Sequence, residues 1–197
     1  MAASVPAIPA AWPRMGNAVT RFVGRSVLRL FGWKIHGQLP SHPPCLIAGA
    51  PHTSNWDFVF AMAAILAMGV RISWLGKHTI FVWPFRSLLS RLGGIAVDRS
   101  VATGVVGQAA AKLQEDPHTV IALAPEGTRA RVNNWKTGFL RIAAQAGVAI
   151  IPIGIDYRSR SFEIGPPFHP TGDQAADLAE FKRYFRRFQG KRPELAG

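Results

Sequence analysis

A chain of 197 residues with 48% hydrophobic and only 17% charged side chains is not a disordered one, and it has enough for one well-packed core but not for two. Its 23 Lys and Arg against 11 Asp and Glu give a formal charge of +12, so its partners carry negative charge; nucleic acid, anionic lipid and phosphorylated small molecules all qualify. The single cysteine, Cys45, cannot form an internal disulfide, and no Cys/His cluster suggests a metal, so a reducing compartment and no bound metal are expected.

The N-terminal "MAASVPAIPAAWPRM" has two early prolines and no basic segment ahead of its apolar part, a poor signal peptide. Residues 14–33 predict an amphipathic helix, with Val19, Phe22, Val23, Val27, Leu30 and Phe31 on one face and Arg14, Arg21, Arg25 and Arg29 on another. Such a face either packs on a core or lies in a lipid interface. After the "LPSHPP" break, "CLIAGA" reads as a buried strand, followed by strand candidates at 71–76, 93–100, 119–127 and 149–157. Helical patterns fall between them at 58–68, 84–92, 103–115 and 137–146. The apolar run 58–70 is too short to span a bilayer, so a protein without a transmembrane anchor, at the cytoplasmic side, is expected. The tail, 173–192, sets Leu178, Phe181, Phe185 and Phe188 beside Lys182, Arg183, Arg186 and Arg187 in a second basic amphipathic helix. This alternation predicts a single α/β domain with a largely parallel central sheet flanked by helices.

Within "PHTSNWDFVF", 51–60, Thr53, Ser54 and Asn55 are helix-capping residues, which would leave His52 on the preceding turn and Asp57 in the first helical turn. His52 and Asp57 could not meet if both were helical, but they can meet across such a cap. An aspartate on one ring nitrogen fixes the tautomer and leaves the other nitrogen to take a proton from a hydroxyl. The plain alternative is an ordinary cap with a histidine nearby. In "APEGTRARVNNWKTGF", 124–139, a strand runs into a loop carrying Glu126, Gly127, Thr128, Arg129, Arg131 and Lys136, a cation set suited to a phosphate or to a solvated basic turn. "GGIAVDRS" repeats the plan, ending in Asp98 and Arg99.

Four blocks in order, "HTSNWD", "GGIAVDRS", "PEGTR" and "AIIPIGI", resemble those of the glycerolipid acyltransferases of the lysophosphatidic acid acyltransferase type, over residues 45–157. Ala96 stands where that family usually has proline or phenylalanine, and Ala124 where it often has phenylalanine. The resemblance implies that His52 is the general base and Asp57 its orienting partner. It also implies that Arg99 and Arg129 hold the acceptor's phosphate, that Glu126 and Gly127 shape the acceptor site with Thr128 and Lys136 beside them, and that Pro152 forms part of its wall. It implies direct transfer from acyl-CoA or acyl carrier protein, with no bound cofactor, to a lysophospholipid or phosphorylated glycerol at an anionic membrane surface. The membrane would be met by the two amphipathic ends, peripherally or monotopically.

The most direct acceptor is 1-acyl-glycerol 3-phosphate; glycerol 3-phosphate and lyso-ornithine lipid fit the same chemistry. Thioester hydrolysis would use the same His52/Asp57 pair with water as nucleophile. A nucleic-acid-binding module is the non-enzymatic alternative, drawing on the charge and six tryptophans, but no strand alternates aromatic and basic residues as such a platform would.

Overall fold

Near-continuous apolar runs are what strands buried on both faces require, and here they build a parallel sheet. A computed structural model describes residues 5–97, 102–131 and 135–195. The strands are β1 (Lys34–His36), β2 (Cys45–Ala50), β3 (Ser73–Lys77), β4 (Gly94–Val97), β5 (Val120–Leu123), β6 (Ala149–Asp156) and β7 (Ser161–Ile164). They form one sheet in the order β1-β7-β6-β2-β5-β3-β4, parallel throughout except for the β6/β7 pair. Helices α1 (Ala18–Leu30), α2 (Asn55–Met68), α3 (Phe85–Arg91), α4 (Ala102–Glu115), α5 (Gly138–Ala146) and α6 (Gln174–Phe185) connect or flank them. The single α/β domain expected from the sequence is therefore observed.

Side chains alternate across β2 and divide the core. Cys45 and Ile47 join α1 and α2 on one face, while Leu46, Ala48 and Ala50 join α4, α5 and α6 on the other. Burial pushes the Cys45 thiol up to about 12, so this cysteine is an inert packing group. The small residues of α2 permit close helix contact. A Cβ added at Gly24 of α1 would sit 2.5 Å from the Ala67 backbone nitrogen and 2.6 Å from the Ala63 carbonyl oxygen.

The two amphipathic ends behave differently from expectation and from each other. α1 is shorter than 14–33, because Asn17 caps it by accepting from the Val19 and Thr20 amides, and the chain turns at Gly32 with φ +70°. It buries Gly24 and Leu28, leaving Val19, Phe22, Val23 and Leu30 exposed. The tail helix ends at Phe185, well short of 192, and its aromatic face is core: Phe181 and Phe185 are buried against Phe139 and Trp135. That face cannot also lie in a lipid interface, which corrects the interfacial expectation for residues 173–192.

Candidate active site

The carboxyl ends of β2, β5 and β6, adjacent in the sheet, deliver three loops to one edge, the usual ligand edge of an open parallel sheet. β2 ends at Ala50 and turns through Pro51, His52 and Thr53 into α2. Ser54 is the N-cap, and Asp57 at N3 closes a capping box, so the histidine stays outside the helix and the aspartate inside it.

The pair meets. His52 Nδ1 lies 3.1 Å from Asp57 Oδ2, with the aspartate side chain only 1% exposed. The same oxygen accepts the Thr53 and Ser54 amides at 2.8 Å each, and Oδ1 accepts the Tyr157 hydroxyl at 2.6 Å. Four donors on one buried carboxylate fix its position. Burial first, and then the bond to Asp57, push the Tyr157 phenol above its ordinary range, so it remains a donor.

On the outer side of the ring, Arg129 Nε donates to His52 Nε2 at 3.2 Å. This makes Nε2 the acceptor and assigns the ring proton to Nδ1, the tautomer a general base requires. Glu126 is buried beneath the turn and accepts the His52 backbone amide at 2.6 Å. Burial, with a smaller push from Asp57, raises its carboxyl to about 7, against the pull of the His52 amide and Lys182. Gly127 takes φ +70°, which turns the loop back toward the ring, and the Thr128 hydroxyl accepts the Ala130 amide. Lys136 runs beside this loop, close enough that a Cβ at Gly127 would lie 3.4 Å from its Cδ.

His52, Asp57, Gly127, Thr128 and Arg129 border a cavity of about 740 Å³. Its walls are largely apolar, with Phe58, Met62 and Ile65 of α2 facing Ile47, Ile153 and Ile155 of the sheet. The alanine-rich α2 thus serves two surfaces: Ala63 and Ala67 receive α1, while Ala61 and Ala64 widen the cavity.

One of the expected site residues is not brought here. Pro152 pairs in register with Ala48, on the face of the sheet opposite to Ile153, so it is part of the core and not of the cavity wall. Arg99 lies outside the described residues. Two others were not anticipated. Tyr157 lies two residues past the last block but contacts a residue 100 positions away, and Lys77 ends β3 at the cavity mouth. A strand terminus at the ligand edge was the available signal for both. The C-terminal tail also braces the turn: the Arg192 amide donates to Thr53 Oγ1 at 3.2 Å and Lys191 sits 4.9 Å over the Trp56 ring. No group of three or more metal-binding side chains is found among the described residues.

Residues 33–156 match the family model described as Acyltransferase. The 1-acyl-sn-glycerol-3-phosphate acyltransferases of Haemophilus influenzae and Escherichia coli are 32% and 30% identical over 72% and 68% of this chain. The chain spans 61% and 58% of those two proteins. The crystal structure of the 1-acyl-sn-glycerophosphate (LPA) acyltransferase PlsC from Thermotoga maritima superposes with a TM-score of 0.58 over 85% of this chain and 77% of that one, at 17% identity, a likeness of fold. With the family model covering well over half of its length, the chain belongs to the acyltransferase family.

Proposed function

We propose that this protein moves a fatty acyl group from a thioester, acyl-CoA or acyl carrier protein, to the free hydroxyl of 1-acyl-sn-glycerol 3-phosphate. One observation carries the reading: His52, held through Nδ1 by Asp57, presents Nε2 at the rim of an apolar cavity with an arginine beside it. The acceptor is the one named for both curated relatives.

His52 Nε2 takes the hydroxyl proton as the acceptor oxygen attacks the thioester carbonyl carbon. The tetrahedral centre collapses, the carbon–sulfur bond breaks, and the departing thiolate takes the proton back from Nε2. No acyl-enzyme forms, and no bound cofactor or metal is needed. Asp57 stabilises the transient imidazolium. Arg129 leaves the ring to meet the acceptor phosphate, for which a guanidinium is a better partner geometry than an imidazole nitrogen. Lys77, Arg99 and Lys136 supply further positive charge, and Thr128 and Gly127 hold the loop that presents Arg129. Glu126 positions the turn through the His52 amide. The cavity takes the acyl chain.

The product stays in a bilayer, and no described helix is long and apolar enough to cross one. The exposed Val19, Phe22, Val23 and Leu30 of α1, with Arg25 and Arg29 beside them, support peripheral or monotopic attachment at an anionic cytoplasmic surface.

A thiol-release assay tests this with acyl-CoA and acyl carrier protein as donors, and with 1-acyl-glycerol 3-phosphate, glycerol 3-phosphate and lyso-ornithine lipid as acceptors. His52→Ala should lose roughly 100-fold to 10,000-fold in rate while remaining folded. Near-normal release by that variant, or release independent of any acceptor, would sink the proposal. Arg129→Ala should raise KM for the phosphorylated acceptors and leave KM for the donor unchanged.

A further inference from the structure

One apolar surface is used neither by the core nor by α1. Between β3 and α3 the chain passes through a short 3-10 turn, His78–Ile80, and then exposes Val82, Trp83, Phe85 and Leu88, the tryptophan at 90%. The segment is not loosely attached. Phe81 stacks on Trp74 with ring centroids 5.6 Å apart. A Cβ at Gly76 would fall 2.8 Å from the Phe81 ring, and one at Gly94 2.7 Å, so the two glycines form the slot that receives it. One ring is locked inward and the apolar residues after it are turned outward.

We propose that residues 78–88 form a lip that seats in an anionic bilayer at the mouth of the acyl cavity, a contact additional to α1. The proposal rests on the lipid-acyltransferase reading above. Two observations identify the occupant. The first is continuity: Lys77 and Ile80, at the root of the lip, line the cavity, so a lipid chain passes from a leaflet to the cavity along apolar surface without crossing water. The second is charge. Residues 1–97 contain nine Lys and Arg and a single acidic residue, Asp57, which is buried. Lys77, Arg86 and Arg91 flank the exposed apolar side chains, the pattern that binds anionic headgroups while Trp and Phe enter the interface. An acidic protein such as acyl carrier protein would satisfy the cations but has less use for a tryptophan this exposed.

The test uses the full chain and vesicles of equal parts phosphatidylglycerol and phosphatidylethanolamine with brominated acyl chains. Wild-type fluorescence should contain a quenched component that is missing from Trp83→Phe. A Trp83→Ser/Phe85→Ser/Leu88→Ser variant should partition onto these vesicles roughly tenfold or more weakly. It should still release thiol normally with a short-chain, fully dispersed acceptor, a readout that also reports folding. Equal quenching of wild type and Trp83→Phe overturns the lip. So does a triple variant that binds vesicles normally but transfers poorly from acyl carrier protein alone, since the surface is then a protein dock. If wild type acylates no acceptor while Trp83 is quenched, the lip stands and the assignment of the reaction falls.

Discussion

Helices α1 and α6 read alike in sequence, each with a row of large apolar side chains beside a row of cations, yet the fold treats them oppositely. In α6, Phe181 and Phe185 are 2% and 5% exposed and pack on α5; in α1, Phe22 and Leu30 are 71% and 80% exposed. The difference teaches that an amphipathic pattern announces a face to be covered without naming the cover. What separates the two is the other side of each helix. α1 brings a glycine to its neighbour, and Gly24 on Ala63 and Ala67 makes the dock, which frees its large side chains from that task.

The contrast can be broken most severely at Phe181. Phe181→Ala should cost about 3–5 kcal/mol in urea unfolding, since it empties a site at the centre of the α5/α6 contact. Gly24→Val should cost about 1–3 kcal/mol by wedging α1 away from α2, with the exposed face of α1 intact. Phe22→Ser should move stability by less than about 0.5 kcal/mol while weakening binding to anionic vesicles. Were it as destabilising as Phe181→Ala, the two helices would not differ as described.

The smallest effect sharpens the comparison electrostatically, because α6 reaches the site and α1 does not. Glu126 titrates near 4.5 when unfolded and is pushed up to about 7 by burial in the fold. The folded protein therefore holds a proton the unfolded chain has released. This contribution is complete below about 4.5 and is lost as the pH rises through about 7. Glu126→Gln should flatten that part of the stability–pH curve. Lys182→Met, which removes an α6 charge that holds the carboxyl down, should move the upper end of the window to higher pH, by well under about 1 kcal/mol of stability at any one pH.

Sequence reasoning reached the frame of this molecule where local signals were strong. β2, β5 and β6 are apolar runs with sharp ends, and the cap at Ser54 separates His52 from Asp57 as its residue types require. It missed β1 and β7, which hold three and four residues and pair with each other at one end of the sheet, too short for any period to register. Pro152 illustrates a finer limit: its block was legible, but which face of β6 it takes depends on the register with β2. Tyr157 on Asp57 and Glu126 beneath His52 join residues 100 and 74 positions apart, and such contacts leave no trace in spacing.

The bond from Arg129 to His52 has a bearing on water. While it stands, the one lone pair able to accept a proton is occupied, so a thioester bound without its acceptor faces a blocked base. In the reaction proposed above, the acceptor's phosphate is what draws the guanidinium away. Under the proposed reaction the acceptor uncorks the site it is about to use, and costly activated acyl groups are shielded from idle hydrolysis by the same arginine that later recognises where they should go.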